Sequence, residues 1–207
     1  AVSRAADPKK DQSYVLWNLT QEQLSMMLTP LAELHKDDIR QKARARGLLS
    51  ADRAESMEIC FIPDHDYARY IEERRGALPE GDFVDWNGRV VGRHRGILHY
   101  TVGQRKHLGI ALGEPVYVSA IDPLSNTITL ARAGGEFAKN MQISHLNFQK
   151  LAPPASADPV CLRADVKIRY SAALLPADIT LYKDTASVQF DAPARAVTPG
   201  QSAVVYD

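Results

Sequence analysis

Val160-Cys161-Leu162-Arg163-Ala164-Asp165-Val166-Lys167-Ile168-Arg169-Tyr170 decides the fold class. Val160, Leu162, Ala164, Val166 and Ile168 alternate with Cys161, Arg163, Asp165, Lys167 and Arg169. Successive side chains of a strand point to opposite faces, so the pattern predicts a strand over 160–170 with one buried and one wet face. Working outward, strand character recurs at 116–121, 127–130, 178–183, 186–190 and 202–206. Asp122 to Asn126 reads as one turn and Pro199-Gly200 as a type II turn. About six short strands without a helix, from residue 114 on, predict a small closed antiparallel barrel. Upstream, Phe83-Val84-Asp85-Trp86, Asn87-Gly88 and Arg89-Val90-Val91 read as strand, turn and strand. Glycines 92, 96, 103, 109 and 113 then cut the chain into short pieces.

The first third reads as helical. Thr20-Gln21-Glu22-Gln23 has capping-box spacing and predicts a helix over about 21–28. A second is predicted over 36–46, with Asp37 and Asp38 in its first turn, Arg44 and Arg46 in its last, and Gly47 as its stop. Asp64 is the expected cap of a third helix that ends before Gly76. The fold class is therefore α+β and mainly β.

The chain has 207 residues, 45% of them hydrophobic and 24% charged, which is ordinary globular material and excludes bulk disorder, collagen and coiled coil. Nothing approaches the roughly 18 consecutive apolar residues of a membrane helix, and the first ten residues lack a signal-peptide profile. The expectation is a cytoplasmic protein with no membrane partner. Twenty-five basic residues balance twenty-five acidic ones, so affinity for a polyanion has to come from local clustering. Between Trp86 and Gly113 there is no Asp or Glu, while Arg89, Arg93, Arg95, Arg105 and Lys106 supply positive charge. Arg93, Arg95, Arg105 and Lys106 are read as an RNA-facing basic patch, against the alternative of a solvated sheet face. His94, His99 and His107 match no standard metal-ligand spacing, so no metal site is expected.

Cys60 and Cys161 lie a hundred positions apart without a C-x-x-C, which suggests reduced thiols. Cys60, between Ile59 and Phe61, fits core packing or a sulfur nucleophile. The second role needs a cation from elsewhere in the fold, because Glu55 and Glu58 oppose thiolate formation. Cys161 has no motif around it. A cysteine hydrolase using Cys60 with His94 or His99 lacks any sign of an orienting acid or oxyanion donors. The sequence contains no G-x-x-x-x-G-K-S/T loop and no other glycine-rich phosphate fingerprint.

Lys10-Asp11-Gln12-Ser13-Tyr14, Glu58-Ile59-Cys60-Phe61-Ile62, Gly103-Gln104-Arg105-Lys106 with Gly109-Ile110, Arg169-Tyr170, and Thr198-Pro199-Gly200-Gln201 form five ordered blocks. In order and spacing they resemble the later part of the bacterial tRNA-specific 2-thiouridylase family (MnmA/TrmU). The resemblance implies three parts. Residues 1–74 match the tail of a PP-loop ATP pyrophosphatase domain, a remnant of an α/β nucleotide-binding fold. Residues 75–113 match a small central β domain, and 114–207 a C-terminal antiparallel β-barrel similar to the second domain of elongation factors.

The activity it implies is that of a tRNA-uridine 2-sulfurtransferase. Such an enzyme adenylates C2 of the wobble uridine of tRNAs for Lys, Glu and Gln with ATP and Mg, then replaces the oxygen with sulfur. Cys60 matches the catalytic cysteine that carries the persulfide received from a sulfur donor protein. Lys10, Asp11 and Gln12 match a tRNA-contacting loop, Arg169 and Tyr170 a second contact, and Gln201 a third. The Ser-Gly-Gly-x-Asp-Ser loop and first catalytic cysteine of the family are not in these residues, so the chain is expected to bind no cofactor and to be inactive alone. Two departures stand out: Met57-Glu58 before the cysteine block, and His107 where the family more often has glycine. The competing reading is a stand-alone RNA-binding β-barrel adaptor with a structural cysteine.

Overall fold

A computed structural model describes residues 1–53, 62, 64, 66–156 and 158–207. The expected Cys60 block, apart from Ile62, lies outside the described residues. These residues form two units: 1–55 with 140–192 and 200–207, and 56–139 with 193–199.

In the first unit Thr20 and Gln23 close the predicted capping box: Gln23 N–H donates to Thr20 Oγ1 at 3.2 Å, and Thr20 N–H to Gln23 Oε1 at 2.9 Å. The helix they start, α1 (Gln21–Ser25), is shorter than predicted. The N–H groups of Met26 and Met27 already make tight bonds to Gln23 and Leu24, and Pro30 disfavours helical geometry before it. Helix α2 (Lys36–Ala45) ends as its charges and Gly47 predict. Gly47 takes φ +67°, its N–H reaches Arg44 O at 2.9 Å, and Leu48 N–H reaches Ala43 O at 3.0 Å, a Schellman closure. Side-chain amides then tie the segment before α1 to residues 147–149. Asn147 donates to Trp17 O at 2.7 Å and Gln149 to Leu16 O at 2.7 Å, while Gln21 donates to Gln149 O at 2.8 Å.

The sheet of residues 137–206 holds β5 (Phe137–Ser144), β6 (Val160–Lys167), β7 (Leu175–Leu181), β8 (Thr185–Arg195) and β9 (Val204–Tyr206), in the order β5-β8-β7-β6-β9. The pairs β6–β7, β7–β8 and β6–β9 are antiparallel. Its inner face is Val166, Ile168, Ala177, Ile179, Leu181, Ala186, Val188 and Phe190, all buried. The even face of β6 points inward as predicted only toward its end, since Val160 is exposed. Strand β5 has no counterpart in the expected elements.

In the second unit Asp66, not Asp64, caps α3 (Tyr67–Arg75): its Oδ1 accepts from Arg69 N–H at 2.9 Å. Asp64 instead binds the Arg69 guanidinium from outside the helix, and that hydrogen bond holds its carboxyl below the usual range. The predicted hairpin is β1 (Gly81–Val84) and β2 (Val90–His94). Gly88 supplies the left-handed turn at φ +78°, and Asp85 Oδ1 accepts from Asn87 and Arg89 N–H at 2.8 and 2.9 Å.

Strands β3 (Val116–Asp122) and β4 (Thr127–Arg132), expected to open the C-terminal barrel, belong to this sheet, whose order is β2-β1-β4-β3. Strand β4 runs parallel to β1, with Phe83 opposite Ile128. The expected boundary at 113/114 lies between β2 and β3 of this sheet, and Gly113 there has φ +78°. The pairing follows from burial: Phe83, Val118, Ile128 and Leu130 are 0% exposed and share one core with Val102 and Leu108. Each such side chain contributes about 1.5–3 kcal/mol, a gain that two separated hairpins would forgo.

His107 has φ +60°, a left-handed backbone that favours glycine. Left-handed geometry costs a residue with a Cβ about 1–2 kcal/mol, and glycine's extra freedom when unfolded offsets about 0.5–1 of that. His107→Gly is expected to leave stability unchanged or raise it by up to about 1.5 kcal/mol. Thermal denaturation checks this, and a clear loss would show that the imidazole itself holds the loop.

Candidate nucleic-acid interface

Asp11 begins the most ordered group of polar residues in the first unit. It is 6% exposed, and its Oδ1 accepts from Ser13 N–H at 3.0 Å and Ala5 N–H at 3.2 Å, while Oδ2 accepts from the Ser13 hydroxyl at 2.9 Å. Burial pushes the carboxyl up, but the Ser13 and Ala5 hydrogen bonds with the nearby Lys167 charge outweigh it and hold the group ionised below its ordinary range. Because the Ser13 hydroxyl has given its proton to Asp11, the Tyr206 phenol donates to Ser13 Oγ, at 3.0 Å. Next along the chain, Tyr14 donates to Ser202 O at 2.7 Å. Burial raises the phenols of both Tyr14 and Tyr206, which keeps them donors. Two bonds from adjacent residues thus fasten the 10–14 loop to the last strand segment.

Gln12 lies between Asp11 and Ser13 and is exposed. Its Nε2 donates to the Tyr170 phenol oxygen at 2.7 Å, across 158 positions of sequence. Tyr14 meets the Tyr170 ring edge-on, with centroids 6.3 Å apart and planes at 64°. The Lys167 ammonium lies over the Tyr170 ring at 5.6 Å, and the charge of Arg169 acts on the Tyr14 phenol. Tyr170 remains 43% exposed. Gln201 is also exposed and precedes the Ser202 carbonyl that Tyr14 holds, directly after Gly200 at φ +83°.

The sequence blocks at 10–14, 169–170 and 200–202 are therefore brought together. Gln12 and Tyr170 are in direct contact, Arg169 acts on Tyr14, and Gln201 adjoins Ser202, while Lys10 is exposed on the same loop. Asp11, expected as a contact, is buried beneath the loop as its brace. Ser13, Tyr14, Lys167 and Tyr206 were not among the expected site residues. The first two lay inside a quoted block, Lys167 was visible only as a polar strand position, and Tyr206 gave no signal.

The basic patch divides differently. Arg95, Arg105 and Lys106 are exposed. Arg93 faces Asp82 across the β1–β2 ladder, at 3.0 Å, and Glu80 at 3.7 Å, so the acid-free stretch acquires acid partners once the hairpin forms. His94 is 1% exposed; its Nε2 donates to Asn126 O at 3.1 Å and its Nδ1 accepts from Gly96 N–H at 3.2 Å. His99 reaches Glu72 at 3.0 Å. No cluster of three or more metal-ligating side chains occurs among the described residues. Among the same residues no helix is long and apolar enough to cross a membrane.

Comparison with known proteins adds the family. Three family models follow one another along the chain: a tRNA methyl transferase HUP domain over 1–64, a tRNA methyl transferase PRC-barrel domain over 68–132, and an aminomethyltransferase beta-barrel domain over 138–207. The chain is 46% identical over 205 residues to the tRNA-specific 2-thiouridylase MnmA of Carboxydothermus hydrogenoformans, covering 98% of this chain and 55% of that protein. It is 45% identical to the same-named protein of Acetivibrio thermocellus, over 100% of this chain and 57% of that one. The Clostridioides difficile protein is 42% identical, over 100% and 56%. Spanning a little over half the length of these relatives, and similar to them almost end to end, the chain belongs to the family of tRNA-specific 2-thiouridylases.

Proposed function

We propose that this chain is the tRNA-docking and sulfur-delivering part of a tRNA-uridine 2-sulfurtransferase. Cys60, in the 1–74 segment, carries a persulfide supplied by a donor protein; its outer sulfur bonds to C2 of an adenylated wobble uridine as AMP leaves, and the family's first catalytic cysteine then attacks Cys60 Sγ, forming a disulfide and releasing the sulfur on C2. The substrates are the tRNAs for Lys, Glu and Gln. The observation that carries the reading is the Gln12–Tyr170 hydrogen bond within the Tyr14 and Arg169 cluster, in a chain 46% identical to a named 2-thiouridylase. Cations grip phosphate and a half-exposed tyrosine offers a ring face to an unpaired base, the combination that RNA docking needs. The sequence contains no glycine-rich phosphate loop. The adenylation chemistry is therefore assigned to the longer protein and no step of it to these residues.

Filter binding of tRNA at several salt concentrations tests the docking half. Arg169→Ala is expected to cost about 1–3 kcal/mol and to flatten the dependence of log K on log salt, since a cation that displaces counterions is lost. Tyr170→Ala is expected to cost a similar ~1–3 kcal/mol with the slope nearly unchanged, because stacking releases no counterion. Curves indistinguishable from wild type for both variants would remove this face from the RNA surface.

A further inference from the structure

Gln12 is an expected RNA contact whose side chain is already committed within the protein. Although it is the residue at the N-terminus of the short 3-10 helix Ser13–Leu16, its side chain does not cap that helix. The carboxamide turns instead to the Tyr170 phenol. The backbone that carries it is fixed on both sides, by the Asp11 carboxylate through Ser13 N–H and by the Tyr14 hydroxyl through Ser202 O. A rigid loop therefore presents one donor to one phenol oxygen, and the ring that phenol belongs to is held edge-on by Tyr14.

We propose that Gln12 acts on RNA through Tyr170. Its amide is a positioning residue that holds the Tyr170 ring as a preset platform for an unpaired nucleobase, with Lys167 beside the ring as the cation for the adjoining phosphate. The proposal rests on the docking surface argued above and deepens it by naming what the surface recognises. Physically, a tyrosine free to change rotamer loses that freedom when a base stacks on it, whereas a ring already fixed in the unbound protein loses little. The phenol can also donate its own proton onward while it accepts from Gln12, and a hydrogen bond to the phenol oxygen itself covers neither face of the ring.

The distinguishing experiment is a double-mutant cycle on tRNA affinity, using Gln12→Ala, Tyr170→Phe and the double variant, with Tyr170→Ala, Lys167→Ala and wild type alongside. Tyr170→Phe keeps the ring and removes only the oxygen that Gln12 grips. Each single change is expected to weaken binding about two- to tenfold, the value of one immobilised side chain. The double variant is expected to be no weaker than either single, because both remove the same contact. Neither is expected to alter the salt slope, whereas Lys167→Ala is expected to reduce it.

Additive losses in the double variant would overturn the proposal by showing that Gln12 touches RNA on its own, and so would a Gln12→Ala protein that binds as wild type. A wild-type protein that binds no tRNA would overturn the docking reading and the platform with it, whereas a Tyr170→Ala variant that binds as tightly as wild type would overturn the platform. Thermal midpoints of all variants separate these outcomes from a general loss of fold.

Discussion

Cys60→Ser in the full-length protein is expected to abolish tRNA 2-thiolation, while Cys161→Ser is expected to retain most of it. A serine oxygen cannot hold a transferable sulfur, so the substitution removes the carrier itself and not merely its reactivity. Cys161 is the contrasting control because its surroundings are described. It is exposed on β6, and its Sγ lies 3.9 Å from the Thr180 hydroxyl, its cross-strand partner. A reactive thiolate is created by a nearby cation or a helix N-terminus. Arg163, two positions along the same face, is engaged by Asp178 at 3.2 Å and by Asp191 at 2.7 Å. Product is read by separating thiolated from unmodified tRNA on a mercury-containing gel. Thiolation that persists in Cys60→Ser would refute the relay role and favour the adaptor reading, in which the cysteine only packs.

What could be read in the sequence was what is decided within a few residues. The Thr20–Gln23 capping box, the Gly47 closure and the Asn87-Gly88 turn each depend on local hydrogen bonds or on one left-handed residue, and each stands where the pattern put it. Local pattern failed where a partner is distant or absent. Strand β5 is at the edge of its sheet, follows Gly134-Gly135, and carries Lys139 where alternation would need an apolar residue, so no buried face announces it. The parallel pairing of β1 with β4 brings residues 82–84 to 127–129, a choice set by the shared core and not by either segment. The same gap separates the expected basic island from the observed one, because Asp82 reaches Arg93 only through strand register. At the interface, the family resemblance singled out residues 10–12, 169–170 and 201, but not that Asp11 would brace from below while Gln12 reached Tyr170.

His94→Ala is expected to destabilise the 81–132 sheet by about 3–5 kcal/mol, the range for removing a large buried ring together with its hydrogen-bond partners. The imidazole lies opposite Gly81 in the β1–β2 register, and a Cβ on Gly81 would come within 2.5 Å of its Nε2, so the ring fills the space that the glycine leaves. Phe83 and Tyr100 meet it edge-on at 5.6 and 5.8 Å. Asn126 O requires a proton from Nε2, and Gly96 N–H requires the lone pair of Nδ1, which fixes the tautomer and leaves neither nitrogen to serve as a base. Truncation therefore opens a cavity and strands the half-buried Asn126 carbonyl and the buried Gly96 N–H at once. His94→Gln, which keeps a donor for Asn126, is expected to lose less. Urea denaturation followed by Trp86 fluorescence in a Trp17→Phe background reports on this unit, since Trp86 adjoins the hairpin turn and stacks under Arg132 at 4.2 Å. A loss below about 1 kcal/mol would contradict a core role for the ring. An unchanged stability with abolished thiolation would instead reopen the chemical role that its two occupied nitrogens argue against.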